Sequence, residues 1–141
     1  MVRGSVKSCA LDANVILRFI LRDHKELSAK AREIMQAASD GRIAAHCDPV
    51  IVAEVVYVLS SQYGASRAQI AEALERILKP ESTVMPGKER YLRALRIYAE
   101  TTAHFGDACA CAAAIEDCEG RLLSFDRELS KIEGIGRSER P

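Results

Sequence analysis

Hydrophobic positions along the chain fall into short apolar runs and longer runs with helical spacing. The short runs predict strands and cover 6–11, 43–47, 82–85 and 121–125. The longer runs predict helices that begin near Ala13 and at Asp107, and that cover 27–38, 49–63, 66–78 and 87–102. Because helices alternate with strands, we predict an α/β fold, with one domain over residues 1–141. Its central parallel sheet has about four to five short strands flanked by helices.

The segment 49–63 carries local signals for both a strand and a helix. Its many valines favour a strand. Its length, the Asp48-Pro49 start and the Gly64 stop favour a helix, which is the prediction that we adopt. We expect its buried face to contain Ile51, Val55, Val58, Leu59 and Gln62.

Net charge and the distribution of apolar residues exclude few classes of protein. A formal net charge of zero neither supports nor excludes nucleic acid, because phosphate binding depends on local basic faces. The chain has no apolar run of membrane-helix length and no signal-peptide pattern, so we expect a cytoplasmic protein without a membrane segment.

The five cysteines are odd in number and have mostly apolar neighbours, which indicates reduced thiols. Cys109 and Cys111 lie near His104 but lack the second ligand pair of a zinc finger. Residues 1–5 and 134–141 are polar and are expected to be flexible.

Four acidic residues stand at positions where chemistry is expected. Asp12 and Asp126 each follow a predicted strand, Asp107 begins a helix of small residues, and Glu54 is a single charge in an apolar run. Asp12 and Asp107 also fit the simpler role of a helix N-cap, and Glu54 either faces water or has a cationic partner. In a parallel sheet with right-handed crossovers, Asp12, Asp126 and the start of the Asp107 helix lie along one edge.

Carboxylates that converge in one crevice repel each other unless protons, cationic groups or a metal ion offset their charge. A set of oxygen ligands without histidine suits Mg²⁺ or Mn²⁺, which bind through a few carboxylates, water and substrate phosphate. The reaction that such a site serves best is metal-assisted hydrolysis of a phosphodiester bond.

Four motifs resemble those of the PIN-domain ribonucleases, and within them the VapC-type toxins of toxin–antitoxin pairs. The motifs are Leu11-Asp12-Ala13-Asn14, Ala53-Glu54-Val55, Phe105-Gly106-Asp107-Ala108 and Ser124-Phe125-Asp126. The resemblance implies a doubly wound α/β fold and Mg²⁺ or Mn²⁺ held by Asp12, Glu54, Asp107 and Asp126. It also implies that Asn14 and Ser124 orient the acids or the water. Ser124 stands where threonine is commoner, and Gly106 where alanine is frequent.

The same resemblance implies endonucleolytic cleavage of single-stranded or looped RNA by a homodimer that a cognate antitoxin inhibits. Arg18 and Arg22, one turn apart near Asp12, are candidates for RNA phosphate contacts, although such charges usually form a solvated face. Three alternatives stay open. They are an aspartyl phosphatase, which needs a second acid where Asn14 stands, a receiver-like phospho-acceptor domain, and a catalytically silent PIN-like scaffold that binds RNA or a partner.

Overall fold

The computed structural model describes residues 6–141. In that range the chain forms six α-helices, five β-strands and a 3-10 helix at Arg127–Lys131. The strands are β1 Lys7–Ala10, β2 Ile43–His46, β3 Thr83–Val84, β4 Arg121–Leu123 and β5 Gly136–Ser138. The helices are α1 Ala13–Leu21, α2 Lys25–Ser39, α3 Pro49–Ser61, α4 Arg67–Leu78, α5 Lys88–Glu100 and α6 Phe105–Asp117. Each strand pair in this range is parallel, and the predicted α/β class is confirmed.

The described residues divide into two compact units. The first comprises residues 6–64 and 76–86, and the second comprises residues 65–75 and 87–141. The strands pair within these units, as a three-stranded sheet in the order β1-β2-β3 and a two-stranded sheet of β4 and β5. Within 6–141, no helix combines the length and the apolar character needed to cross a bilayer.

The first unit is organised by β1 and β2. Their register pairs Cys9 with Ala45, and the Leu11 amide extends the ladder by donating to the His46 carbonyl at 2.8 Å. In this unit α1 packs against α2 and α3, and α2 packs against β2. The strand-to-helix junction at residues 11–13, which carries Asp12, is therefore held by the β1–β2 ladder before it and by the packing of α1 after it.

Two helix starts follow local capping rules. The Asp48 carboxylate accepts the Val50 amide at 2.9 Å, and Pro49 is the first residue of α3. Before α4, the Gln69 amide donates to Ser66 Oγ at 3.2 Å and the Ser66 amide donates to the Gln69 side chain at 3.1 Å. This reciprocal pair is a capping box, which explains where α4 begins.

The buried face of α3 differs from the predicted face by about one residue. The helix buries Val52, Val55, Val56 and Leu59. Gln62 is exposed and Ile51 and Val58 are half-buried, so the prediction was wrong for these three. The reason is the low polar contrast of a valine-rich helix, whose apolar residues occur on all sides and mark no single stripe.

The second unit is built on α5 and α6, which pack against each other, while α6 also packs against β4. The α6 residues Glu116 and Asp117 oppose the helix dipole, which local rules leave unexplained. Arg90 of α5 explains them, because its guanidinium donates to Glu116 at 3.0 Å and also to Asp117. These carboxylates tie the end of α6 to the start of α5.

The C-terminal stretch 134–141, which the sequence predicts to be flexible, contains the short strand β5. β5 pairs in parallel with β4, and the Ser124 amide adds a bond to the Ser138 carbonyl at 3.0 Å. The pairing depends on backbone groups, so a polar sequence forms a strand without an apolar pattern. The matching expectation for residues 1–5 lies outside the described residues.

Candidate functional site

Asp12 occupies the N-cap position of α1, but its carboxylate is not used as a cap. Its backbone is extended, with φ −88° and ψ 153°, and its carbonyl accepts the Val15 amide at 3.1 Å. Its exposed side chain accepts no capping hydrogen bond. The capping role is therefore not realised here, and both carboxylate oxygens remain free to bind a cation. Asn14, two residues further along, is also exposed.

Glu54 lies on the exposed side of α3 in the same unit as Asp12. Of the two expectations for this residue, exposure to water is the one observed, since no hydrogen bond or ion pair to its carboxylate occurs among residues 6–141. Its neighbours on this side include Val50, which is 71% exposed, and Tyr57, which is 67% exposed. A single carboxylate thus stands on a largely apolar exposed helix face.

Asp107 and Asp126 line one cavity in the second unit, which has a volume of about 430 Å³. The rest of the lining comes from the α5–α6 connection and the 3-10 helix: Glu100, Thr101, Thr102, Ala103, His104, Glu128, Leu129, Lys131 and Ile132. Two of the four predicted acids are therefore brought together by the fold of this unit. Glu100, Glu128 and Lys131 carry no distinguishing signal in the sequence, because each fits an ordinary solvated helix position.

Asp107 does not begin its helix, contrary to expectation. α6 begins at Phe105 after His104 in the N-cap position, which places the half-buried Asp107 in the first turn. A carboxylate in the first turn of a helix is stabilised by the positive end of the helix dipole. Burial raises the pKa of the Cys111 thiol, and the negative charge of Asp107 raises that pKa further.

Asp126, in contrast, does cap the element that follows it. Its side chain accepts the Glu128 amide at 3.0 Å, and its own amide donates to Ser124 Oγ at 3.0 Å. Ser124 is held in turn, because Arg137 donates to its carbonyl at 2.7 Å. These bonds fix the turn that carries Asp126 and leave its second carboxylate oxygen free to bind a ligand in the cavity.

The cavity lining carries an excess of negative charge. Four carboxylates, those of Glu100, Asp107, Asp126 and Glu128, face one lysine, Lys131. The Lys131 ammonium donates to Glu128 at 2.8 Å, and this hydrogen bond raises the pKa of Lys131. Its charge is thereby directed at Glu128. The Glu100 carboxylate forms an ion pair with Arg96 at 3.9 Å. Asp107 and Asp126 are therefore the carboxylates left to attract a cation.

The donor set of the cavity fits a hydrated divalent ion. In residues 6–141, no group of three or more histidine, cysteine, aspartate or glutamate side chains is arranged to hold a metal. Mg²⁺ needs fewer protein ligands, since it keeps several waters and commonly binds through one or two carboxylates and substrate phosphate. Asp107 and Asp126 supply two such carboxylates. The convergence of all four predicted acids stays a prediction.

The two arginines predicted to contact RNA differ in their surroundings. Arg18 is paired with Asp23, to whose carboxylate oxygens Nη1 donates at 2.6 and 2.8 Å, and the Tyr63 hydroxyl donates to the same carboxylate at 3.3 Å. The Arg18 hydrogen bond lowers the pKa of Asp23. Arg22 is exposed after α1, where its φ of 54° lies in the left-handed region. The Arg22 guanidinium is thus more accessible to a phosphate than that of Arg18, which is paired with Asp23.

Comparison with known proteins identifies the family. The PIN domain family matches residues 9–135, which is most of the chain. No curated protein matches. PIN domains are typically nucleases that use divalent metals, and the match supports a hydrolase acting on nucleic acid. It gives no support to the phosphatase or receiver-like alternatives.

Proposed function

Because the chain belongs to the PIN-domain family, we propose that it is a metal-dependent endoribonuclease that cleaves single-stranded or looped RNA. The observation that carries this proposal is the cavity in which Asp107 and Asp126 lie among further carboxylates. A cavity with this charge attracts a divalent cation, and a cation held there attracts a phosphate.

Asp107 and Asp126 are the proposed ligands of Mg²⁺ or Mn²⁺, and Asp12 and Glu54 are the further proposed catalytic carboxylates. When bound, the ion supplies positive charge at the scissile phosphate and lowers the pKa of water. Ser124 keeps Asp126 in place through its bond to the Asp126 amide. The uncapped carboxylate of Asp12 and the unpaired carboxylate of Glu54 are free to accept a proton from water or to bind the ion.

Asn14 and the two arginines complete the proposed set of functional residues. We propose that Asn14 orients the acids or the water, on the strength of its motif with Asp12. We also propose that Arg22, and Arg18 once it is released from Asp23, contact RNA phosphates.

We further propose that the protein is the toxin of a type II toxin–antitoxin pair and acts as a homodimer. The support for this finer proposal is the resemblance of its four acid-containing motifs to those of VapC-type toxins. Growth arrest on expression, relieved by coexpression of the adjacent gene, tests the toxin role. Light scattering on the purified protein tests the dimer.

A catalytically silent scaffold that binds RNA or a partner is the second candidate. One observation favours it, namely that residues 6–141 contain no three-ligand metal group. The two proposals differ in their response to metal, since the scaffold binds RNA in EDTA as well as in Mn²⁺ and leaves it uncut.

The deciding experiment is cleavage of a structured RNA pool in Mn²⁺, Mg²⁺ or EDTA by the wild type and by Asp12→Ala and Asp107→Asn variants. We expect cutting that requires the metal and falls by roughly a hundredfold or more in both variants. Asp117→Asn is the matched control, because Asp117 lies on the same helix but pairs with Arg90 outside the cavity. Cutting that persists in EDTA, or equal loss in the control, would contradict the proposal.

Thermal melts separate metal binding from cutting. Asp107→Asn removes one like charge from the cavity and also the carboxylate that the helix dipole stabilises, and these two effects on the Tm without metal oppose each other. The expected result is therefore a smaller rise in Tm when Mn²⁺ is added. If the Tm of Asp107→Asn rises with Mn²⁺ as much as that of the wild type, Asp107 is not a ligand.

A further inference from the structure

The Arg67 side chain, at the start of α4, binds the end of α5 and the link between α5 and α6. Its Nη1 donates to the carbonyls of Tyr98 at 3.1 Å and Ala103 at 2.5 Å, and its Nη2 donates to the carbonyl of Thr102 at 3.1 Å. The guanidinium carbon also lies 4.5 Å from the centre of the Tyr98 ring. One half-buried cation therefore binds three backbone acceptors and an aromatic face.

These acceptors belong to the end of α5 and the link to α6. The last carbonyls of a helix have no partner within it, and the short link 102–104 has no strand to pair with. Thr101 supplies part of the missing bonding, because its hydroxyl donates to Ile97 at 2.7 Å and accepts the Ala103 amide at 3.1 Å. Arg67 supplies the rest for Tyr98, Thr102 and Ala103.

A second path leads from Arg67 to α6 through two aromatic rings. Tyr98 meets Phe105 edge to face, with ring centres 6.0 Å apart and planes at 84°. Phe105 is buried and is the first residue of α6, two positions before Asp107. The guanidinium thus fixes the first turn of α6 through the link and through this stack.

We propose that Arg67 is a positioning residue that sets the Asp107 carboxylate in the cavity by holding the 101–104 segment and the start of α6. The segment that Arg67 holds lines the same cavity as Asp107. The proposal rests on the proposed function only where it concerns the metal, since the position of Asp107 is measurable without one.

Arginine is needed at this position and lysine does not replace it. A planar fork reaches three carbonyls and stacks on a ring at the same time, whereas an ammonium makes point contacts and stacks poorly. Arg67→Lys keeps the charge and the long stem, so it tests the fork itself. Ile70→Val is the matched control, because Ile70 is buried in the same helix and its apolar side chain forms no hydrogen bond to the link.

Two readouts test the position of the link and of Asp107 without metal or RNA. At a temperature where all variants are folded, we expect hydrogen exchange at the Ala103 and Ala108 amides to rise roughly fivefold to tenfold in Arg67→Lys. We also expect the Asp107 amide and carboxyl resonances to shift. In Ile70→Val we expect both readouts to stay at wild-type values after correction for global stability.

The metal readout then connects this position to the site. Titration with Mn²⁺ alone is expected to show about tenfold weaker binding in Arg67→Lys and unchanged binding in Ile70→Val. Unchanged exchange and resonances in Arg67→Lys, or equal changes in Ile70→Val, would overturn the positioning role. Weaker Mn²⁺ binding without any shift at Asp107 would overturn it as well. A wild type that binds no Mn²⁺ would refute the proposed function, and exchange and resonances would still decide the role of Arg67.

Discussion

Gly120 joins α6 to β4 in a conformation that a side chain does not tolerate. Its φ is +80°, and a Cβ built on it lies 2.2 Å from the Gly134 carbonyl oxygen. The Gly120 carbonyl accepts the Gly136 amide at 2.8 Å, and the Gly120 amide donates to Ala114 at 2.8 Å. The residue therefore connects α6 to the β4–β5 pair at a point where two backbones touch.

Gly120→Ala is expected to lower the free energy of unfolding by about 3 kcal/mol. The left-handed backbone costs an alanine about 1–2 kcal/mol. Restoring a normal contact moves Gly134 away by roughly 1 Å, and overpacking of this kind costs about 1–3 kcal/mol. The hydrogen bond to Gly136 is weakened by the same movement.

Two other glycines of the same unit separate these contributions. Gly134 has a φ of +86°, and its Cβ would meet the Ile115 side chain at an ordinary 3.6 Å. Gly134→Ala therefore carries the backbone cost alone, about 1–2 kcal/mol. Gly106 lies within α6 with no atom within 4 Å of a Cβ. Gly106→Ala is expected to raise stability by about 0.5 kcal/mol, because alanine favours a helix.

Urea unfolding of the wild type and the three variants measures these differences. The expected order of stability is Gly106→Ala, wild type, Gly134→Ala and Gly120→Ala. Equal losses in Gly120→Ala and Gly134→Ala would refute the reasoning, because they would show that the approach to the Gly134 carbonyl costs nothing.

Three further predictions follow from charges and thiols. Because pairing with Arg18 lowers the pKa of Asp23, the stability it adds is present above the ordinary value of 3.8 and lost as pH falls through the folded value. Asp23→Asn is thus less stable than wild type at pH 7, and urea unfolding near pH 2 should show no difference. Burial raises the pKa of Cys47 to about 11, so iodoacetamide at pH 8 should modify exposed Cys118 first, as mass spectrometry will show. Arg22→Gln should reduce the salt slope of RNA binding by about 0.7, and an unchanged slope would return Arg22 to a solvated role.

The sequence was sufficient for features that depend on local rules. Asp48-Pro49 predicted the start of α3 because a cap and a proline act within one turn. The α/β class followed from the alternation of element types. Asp126 was singled out by its position after a predicted strand and Asp107 by its position near a helix start, and both line one cavity. Their role as site residues stays a prediction.

Features that depend on distant partners were not predictable from local patterns. Glu116 is explained by Arg90, which lies 26 residues earlier in the chain. Arg67 binds carbonyls 31 to 36 residues away, and neither the arginine nor its acceptors carry a periodic signal. β5 forms because the backbone amide and carbonyl groups of β4 pair with it, although the Gly-Arg-Ser sequence of β5 has low strand propensity.

The buried face of α6 limits how the neighbourhood of Asp107 can change during evolution. After Phe105, the buried side chains of that face are no larger than cysteine, and Ala108, Cys111 and Ala112 are fully inaccessible to solvent. A larger residue there costs about 1–3 kcal/mol, which is a roughly fivefold to hundredfold loss in the ratio of folded to unfolded protein. Selection therefore removes most mutations on that side. We expect heritable variation around Asp107 at exposed positions such as His104 and Gly106, where lineages of this protein should diverge first.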